Sequence, residues 1–269
     1  MKKIILNATY FIFIGLFLIL FYVFFIFNPN NYKDQIINYV SSITKYDFTY
    51  NGEIQMVFFP NTKIIMPNIE IYKASSDSKN MMMTISKTEL SVSLRKLMDD
   101  IVDVNYLRAS DFKYYGINAD DVLMKTYSLL KFSFFKTDHP NTTTVKKMSG
   151  KANISGDTMK VNDIYMETEM MEAKGSGTID MITKRVDFKM VGNLKDYENI
   201  VSSYRNNYPG ELVGEELPII ISGELNNLSI SIDLKHIIIK KVTPIKEKAI
   251  ETIKEKVIDD IKDKIKLPF

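Results

Sequence analysis

Residues 217–234 read LPIIISGELNNLSISIDL, and Leu228, Ile230, Ile232 and Leu234 there alternate with Ser229, Ser231 and Asp233. Successive side chains of a strand point to opposite faces, so this stretch builds one wet face and one dry face. The same period of two recurs upstream. Ile179 and Met181 lead to a turn at Thr183-Lys184, with Val186, Phe188 and Met190 on the return. Further back, Ile154, Met159–Val161 and Ile164–Met170 read as strands that precede a strand-and-turn signal at Gly175-Ser176-Gly177. Between these strands Tyr197, Ile200, Val201 and Tyr204 fall in helical phase.

The first half carries the same signature. Phe48 and Tyr50, a turn at Asn51-Gly52, then Ile54, Met56 and Phe58 predict a hairpin, because Asn-Gly supplies the positive φ angles of a type I′ turn. Ile64, Met66 and, across Pro67, Ile69 and Ile71 predict another strand. Leu90, Val92 and Leu94 alternate, and Ile101–Phe112 do so less cleanly. Residues Ser75–Asn80 form a polar loop. Helical spacing marks Tyr32 to Thr44, residues 120–131 with Val122, Leu123, Tyr127 and Leu130 inward, and a last helix opened by Thr243-Pro244. That last helix has a stripe of Ile245, Ala249, Ile250, Ile253, Val257, Ile261 and Ile265 between mixed charges. A surface helix on a sheet, a helix lying on a membrane interface and a helix pairing with a partner all fit it.

Ile4 to Phe27 carries no charge and follows Met1-Lys2-Lys3. At ~1.5 Å per residue such a helix covers about 36 Å, enough to cross a bilayer. A cleaved signal peptide has a shorter apolar region and a small-residue cleavage site, both missing here. The reading is an uncleaved signal anchor over residues 1–28, with the positive N-terminus in the cytoplasm and the bulk exported. Asn28-Pro29-Asn30 breaks it and caps the next helix. A Thr/Asn/Pro stretch at 137–144 reads as a linker, dividing the exported part into a helix-plus-β region over 29–136 and a β region over 145–235, with the amphipathic helix in 236–269. The fold class expected is therefore α+β, predominantly antiparallel β: a transmembrane helix followed by a curved sheet with a few amphipathic helices.

Composition removes much chemistry. The 269 residues hold no Cys and two His, with 35 basic against 33 acidic side chains. Disulfides, zinc-thiolate sites, iron–sulfur clusters and cysteine nucleophiles are excluded, and the balanced charge argues against nucleic acid. His139 and His236 are read as surface or satisfied residues, and Asp120-Asp121 as helix N-terminal charge favoured by the macrodipole. Ser176 lacks a nucleophile-elbow frame. No phosphate loop, dinucleotide fingerprint or EF-hand occurs. The expectation is a protein that is not an enzyme and takes no metal or cofactor. Ten or more amphipathic strands outnumber what four helices can cover, since one helix covers roughly two strands. The surplus either folds into a sandwich or leaves an apolar groove.

Several residues in order carry a resemblance: the apolar N-terminus, Asn28-Pro29-Asn30, Asp47–Gly52, Phe59-Pro60, Met66-Pro67-Asn68-Ile69-Glu70-Ile71, and Leu97. In the second half, Ala173-Lys174-Gly175-Ser176-Gly177-Thr178-Ile179-Asp180 and Leu217-Pro218-Ile219-Ile220-Ile221-Ser222-Gly223-Glu224-Leu225 add to it. Over 1–112 and 145–235 the chain resembles the AsmA family. That resemblance implies a bacterial inner-membrane protein with a periplasmic β-rich domain, associated with envelope assembly and similar to bridge-like lipid transfer proteins whose groove holds phospholipid acyl chains. The expected partners are phospholipid, the inner membrane through residues 4–27, and a protein partner or a second copy. The chain is short for that family, its two signature ends nearly meeting. The residues chosen as lining a lipid groove are Phe48, Tyr50, Ile54, Met56, Phe58, Leu90, Val92, Ile179, Phe188, Met190 and Ile230. The competing expectation is an envelope assembly or scaffolding factor that acts through a protein partner without binding lipid.

Overall fold

A computed structural model describes residues 12, 14–19, 22, 28–44, 46–57, 62–73, 80–92, 102–131, 136, 139–205 and 208–234. Within them, one antiparallel sheet of eleven strands accounts for most of the chain. The strands are β1 (Tyr46–Tyr50), β2 (Gln55–Val57), β3 (Lys63–Lys73), β4 (Asn80–Val92), β5 (Val102–Tyr115), β6 (Thr142–Ser155), β7 (Thr158–Glu167), β8 (Met171–Asp180), β9 (Arg185–Leu194), β10 (Leu217–Glu224) and β11 (Asn227–Ile232). They pair in the order β1-β3-β4-β5-β6-β7-β8-β9-β10-β11, with β2 beside β3. Ten strands at ~4.8 Å spacing make a sheet about 43 Å wide. The helices are α1 (Lys33–Thr44), α2 (Ala119–Leu130) and the single turn α3 (Ser202–Arg205), joined by short 3-10 turns.

Three expectations change at the level of elements. Asn51-Gly52 does not close a hairpin: β1 pairs with Ile69–Lys73 and β2 with Lys63–Ile65, so the two are one interrupted edge strand along β3. Gly52 takes a φ of +131° where Pro67 lies against it, leaving no room for a side chain. Gly175-Ser176-Gly177 is not a turn but the middle of β8. A Cβ at Gly175 would sit 2.2 Å from the Lys189 carbonyl, and one at Gly177 would sit 2.0 Å from the Phe188 ring. The glycines are notches that let β9 and its aromatic close over β8. The helical phase of 197–204 is realised as a 3-10 turn at Tyr197–Asn199 and then α3. As for the linker stretch, residues 142–144 begin β6, which pairs directly with β5.

The sheet bends where its alternation slips. Asn68 and Asp111 hold left-handed φ angles of 48° and 50° on either side of Ser86 in β4, and Asp163 does the same in β7. Short polar side chains tolerate that region, and one residue there shifts which face the following side chains take. In β6 the buried positions are accordingly 143 and 145 before the slip, then 150 and 152 after it. Pro67 tolerates its mid-strand place because it adjoins this irregularity.

Curling brings distant strands together. The Tyr114 hydroxyl at the end of β5 donates to the Leu225 carbonyl (3.2 Å) and accepts from the Leu228 N–H (3.2 Å), at the turn between β10 and β11. A cluster of Tyr46, Ile71, Met82 and Tyr114 packs there with Leu225 and Leu228. The larger core lies where the sheet from β6 to β11 wraps α2. Leu123 and Met124 (0% and 1% exposed) meet Val161, Ile164, Met190, Leu217 and Ile219, with Ile200, Tyr204, Leu212 and Leu234 closing over them.

The edges of the sheet are also occupied. At the β1/β2 edge, the Ser41 hydroxyl accepts from the Phe48 N–H (3.4 Å). The Asn30 side chain accepts from the Ile54 N–H (2.7 Å) and donates to the Ile54 carbonyl (3.1 Å). At the other edge, Tyr114 takes the Leu228 N–H and α2 packs along β11. Asn28 caps the turn that carries Asn30, as the sequence suggested. No helix among the described residues is long and apolar enough to cross a membrane. The 4–27 stretch lies mostly outside them; residues 14–19 are helical, with Ile14, Leu16, Phe17, Leu18 and Ile19 exposed. The 236–269 helix lies outside the described residues.

Candidate functional site: the concave sheet face

Directly paired residues share a face, so the register traces rows across the sheet. One row runs Met56–Ile64–Leu90–Leu107–Gly150 from β2 to β6. Another runs Val104–Ala152–Val161–Gly177–Phe188–Ile221–Ile230 from β5 to β11, and Val92 pairs with Val104 at its start. Phe48 heads the row Phe48–Ile71–Met83–Tyr114–Thr143, and Tyr50 heads Tyr50–Ile69–Ile85–Phe112–Val145. Ile179 pairs with Met159 and Val186, and Met190 with Gly175 and Ile219. These rows form one continuous apolar face. Ile54 stands off it, buried between β1 and β2 under Asn30, and Phe58 lies outside the described residues.

Cover divides the face in two. Over β6–β11 much of it is covered: Met190 is buried, and Phe188, Ile221 and Ile230, themselves half-buried, pack against the core around α2. Among the described residues an apolar cavity of about 50 Å³ lies there, between Ala119 and the side chains of Met166, Met190, Ile219, Ile221 and Ile230. A pocket for an organic ligand is typically ~300 Å³ or more, so no acyl chain fits while α2 is seated. Over β2–β5, Met56, Ile64, Met66, Ile85, Leu90 and Leu107 are only half-buried. Here α1 packs on β1 and α2 on β6 and β11, and β2–β4 have no comparable helical cover among the described residues. Tyr50 differs from its neighbours: its hydroxyl reaches Asn30 and the Lys33 ammonium stands 4.1 Å over its ring.

Polar groups gather at the N-terminal end of α2, where the sequence analysis saw only helix-end charge. Asn118 caps the helix through the Asp121 N–H (3.1 Å) and donates to the Tyr204 hydroxyl (3.1 Å) and the Pro140 carbonyl (3.1 Å). Asp120 is enclosed; its carboxylate accepts from the Thr168 hydroxyl (2.6 Å) and from the Glu169 and Met170 N–H groups (3.3 and 3.4 Å). Burial pushes its carboxyl up to about 6, against the opposing pull of those bonds. Burial likewise pushes the Tyr204 hydroxyl up to about 12. His139 bonds Asp121 and the Ser203 carbonyl and stacks on Tyr204. Asp120-Asp121 was read as helix-start charge, but the Asn118 cap was not. Thr168, 48 positions from Asp120, carried no local signal. No metal-holding cluster occurs among the described residues.

The match to known proteins falls on the first of these regions. The family model of the AsmA family matches residues 1–111. Over these residues the chain is similar to that family. No curated protein matches the chain. The matched segment takes in α1, β1 to β4 and β5 as far as the slip at Asp111, and stops before α2. The family match supports a membrane- or envelope-associated role in general terms.

Proposed function

We propose that this protein is an anchored envelope protein that handles lipid by burial alone, holding acyl chains on the concave face of β2–β5. The observation that carries this reading is the half-covered apolar row Met56–Ile64–Leu90–Leu107, set in the AsmA-family segment beside a region whose matching face is filled. Each CH₂ removed from water contributes about 0.8 kcal/mol, so a phospholipid needs no charged anchor to be held there. The uncharged 4–27 stretch tethers the chain to the inner membrane, with the sheet in the periplasm, and the helical, exposed residues at 14–19 suit that tether. No covalent chemistry is part of this reading. Contribution to phospholipid transfer or outer-membrane assembly follows from holding the chains.

The test is native mass spectrometry with lipid extraction on the full chain, taken from membranes in mild detergent. The expected result is bound phospholipid at a defined stoichiometry, reduced several-fold in Leu90→Asp and Leu107→Asp. A second reading, a scaffolding factor that binds a protein, is favoured by the filling of β6–β11. A lipid-free, folded chain whose β4 crosslinks to a protein would replace the first reading with the second.

A further inference from the structure

The outer side of the sheet carries a second row beside the apolar one. Val57, Lys63, Ser91 and Tyr106 pair in turn from β2 to β5. Each is the chain neighbour of a residue in the row Met56–Ile64–Leu90–Leu107, so this row points away from the concave face. Among Lys63, Ser91, Asn105, Tyr106 and Arg108 lies an open depression of about 480 Å³. All five side chains carry an N–H or O–H donor, the equipment for binding an anion. The Arg108 guanidinium lies over the Tyr106 ring, 4.4 Å from its centroid. A guanidinium laid on an aromatic ring keeps its fork of N–H groups for an oxyanion.

Charge is unbalanced here. Glu89, which pairs with Arg108 across the sheet, is taken by Lys87 at 2.7 Å. That bond is the main pull holding the Glu89 carboxyl below its ordinary value, and Arg108 and Lys63 add to it only through space. Lys63 and Arg108 are exposed and form no ion pair among the described residues. By contrast, Lys146, Lys147, Lys151 and Lys195 each meet a carboxylate at 2.6 to 3.3 Å. Lys63, Lys87 and Arg108 against Glu89 alone leave two positive charges uncompensated. The connection from β4 to β5 adds Arg95 and Lys96 against Asp99 and Asp100, which leaves that balance unchanged.

The depression lies at the end of the sheet nearest the uncharged N-terminal stretch. Lys63 opens β3, and α1 leads away from that end: Thr44, its last residue, precedes Tyr46, which pairs with Lys73 at the far end of β3. Before α1, Asn30 holds the backbone of Ile54, three residues ahead of Val57. At ~3.3 Å per residue the chain therefore leaves the 4–27 stretch about 10 Å from this row, close to the screening length of ~8–10 Å. We propose that Lys63, Arg108 and Tyr106 form a site for the phosphate of an anionic phospholipid headgroup, which holds this end of the sheet on the membrane that tethers it. Such docking brings the end of the row Met56–Ile64–Leu90–Leu107 to the bilayer surface. That the headgroups belong to the tethering membrane rests on the anchor reading above; the anion site itself does not.

The chain has no cysteine, and Val57 shares this row and is 42% exposed, so a fluorophore at Val57→Cys reports on the site. The full chain is placed in phosphatidylcholine nanodiscs with increasing phosphatidylglycerol and a trace of lipid bearing a quencher on its headgroup. Quenching is expected to rise with phosphatidylglycerol and to fall back at high salt. The phosphatidylglycerol fraction at half-maximal quenching should rise about five-fold for each of Lys63→Gln and Arg108→Gln. Leu90→Ser, which alters the opposite face without adding charge, should leave it unchanged. Quenching that ignores phosphatidylglycerol, or that is unshifted in the double variant, would overturn the site. Inorganic phosphate that abolishes the quenching at constant ionic strength would overturn the headgroup in favour of free phosphate. A chain that does not enter the discs would refute the tether alone, and its co-sedimentation with phosphatidylglycerol vesicles then decides the site. Lipid content of the Leu90→Ser samples tests the acyl-chain reading separately.

Discussion

The regions β1–β5 and β6–β11 are made of the same material, long antiparallel strands with one apolar face, yet they solve the problem of that face differently. From β6 to β11 the sheet wraps α2 and seals itself with Ile200, Tyr204, Leu212 and Leu234. From β2 to β5 the row Met56–Ile64–Leu90–Leu107 stays half-buried, while Ile71, Met82 and Tyr114 at the other end are buried under Leu225 and Leu228; among the described residues the helix contact on this side is that of α1 with β1. A sheet able to bury itself is therefore present in this chain, and the first region does not use that solution. The difference separates the tightly packed bed of α2 from an apolar row that has less cover among the described residues.

Substitutions can break this contrast or sharpen it. Leu123→Ala removes a fully enclosed side chain and should cost about 2–5 kcal/mol in urea unfolding, while Leu90→Ala at its half-covered site should cost less than about 1.5 kcal/mol. Equal losses would mean that β2–β5 is packed as tightly as β6–β11.

A pH series should follow. The Asp120 pKa lies above its unfolded value, so the folded protein binds the extra proton. Its contribution is full below pH 3.8 and is lost as pH rises through about 6. Stability should fall over that window by up to ~3 kcal/mol, a slope that Asp120→Asn flattens. Next in size, Gly177→Ala forces a methyl against Phe188 and the Asp187 carbonyl and should cost about 1–3 kcal/mol, read as a lowered urea midpoint. Smallest is Asn30→Ala, which strips the Ile54 backbone of its partners for about 1 kcal/mol. Its effect should be local, with faster amide exchange in β1 and β2 and none in β8 or β9.

Strand faces were legible because period two survives in the sequence wherever the strand is regular. Phe48, Tyr50, Met56, Leu90, Ile179, Phe188, Met190 and Ile230 stand on one continuous face. Which part of that face α2 would fill could not be read, since it depends on curvature set at Asn68, Asp111 and Asp163, and an Asn or Asp does not announce a left-handed φ. The same slip hid residues 113–150: Lys146 falls between buried Val145 and half-buried Met148, so the alternation there looks broken. Asn51-Gly52 misled for a related reason. A turn signal says where the chain bends, not which strand it will pair with, and β3 offered both β1 and β2 a longer partner. The site at α2 was legible only as helix-start charge at Asp120-Asp121. Its cap is local in sequence, but Thr168 and Ser203 reach it only through the fold.

The occupied edges constrain how such a molecule can grow. With Ser41 and Asn30 holding the Phe48 and Ile54 N–H groups on one side and Tyr114 holding the Leu228 N–H on the other, a further copy would have to displace these contacts to pair along those edges. Splicing a hairpin into an interior turn would lengthen this sheet and leave those edge contacts in place. The connection between β7 and β8, which carries the Asp120 clamp, is a poor place for it. The turn at residues 181–184 is a better one: Ile182 and Thr183 are exposed, and their N–H groups are held only by Asp180, which an inserted hairpin could carry with it.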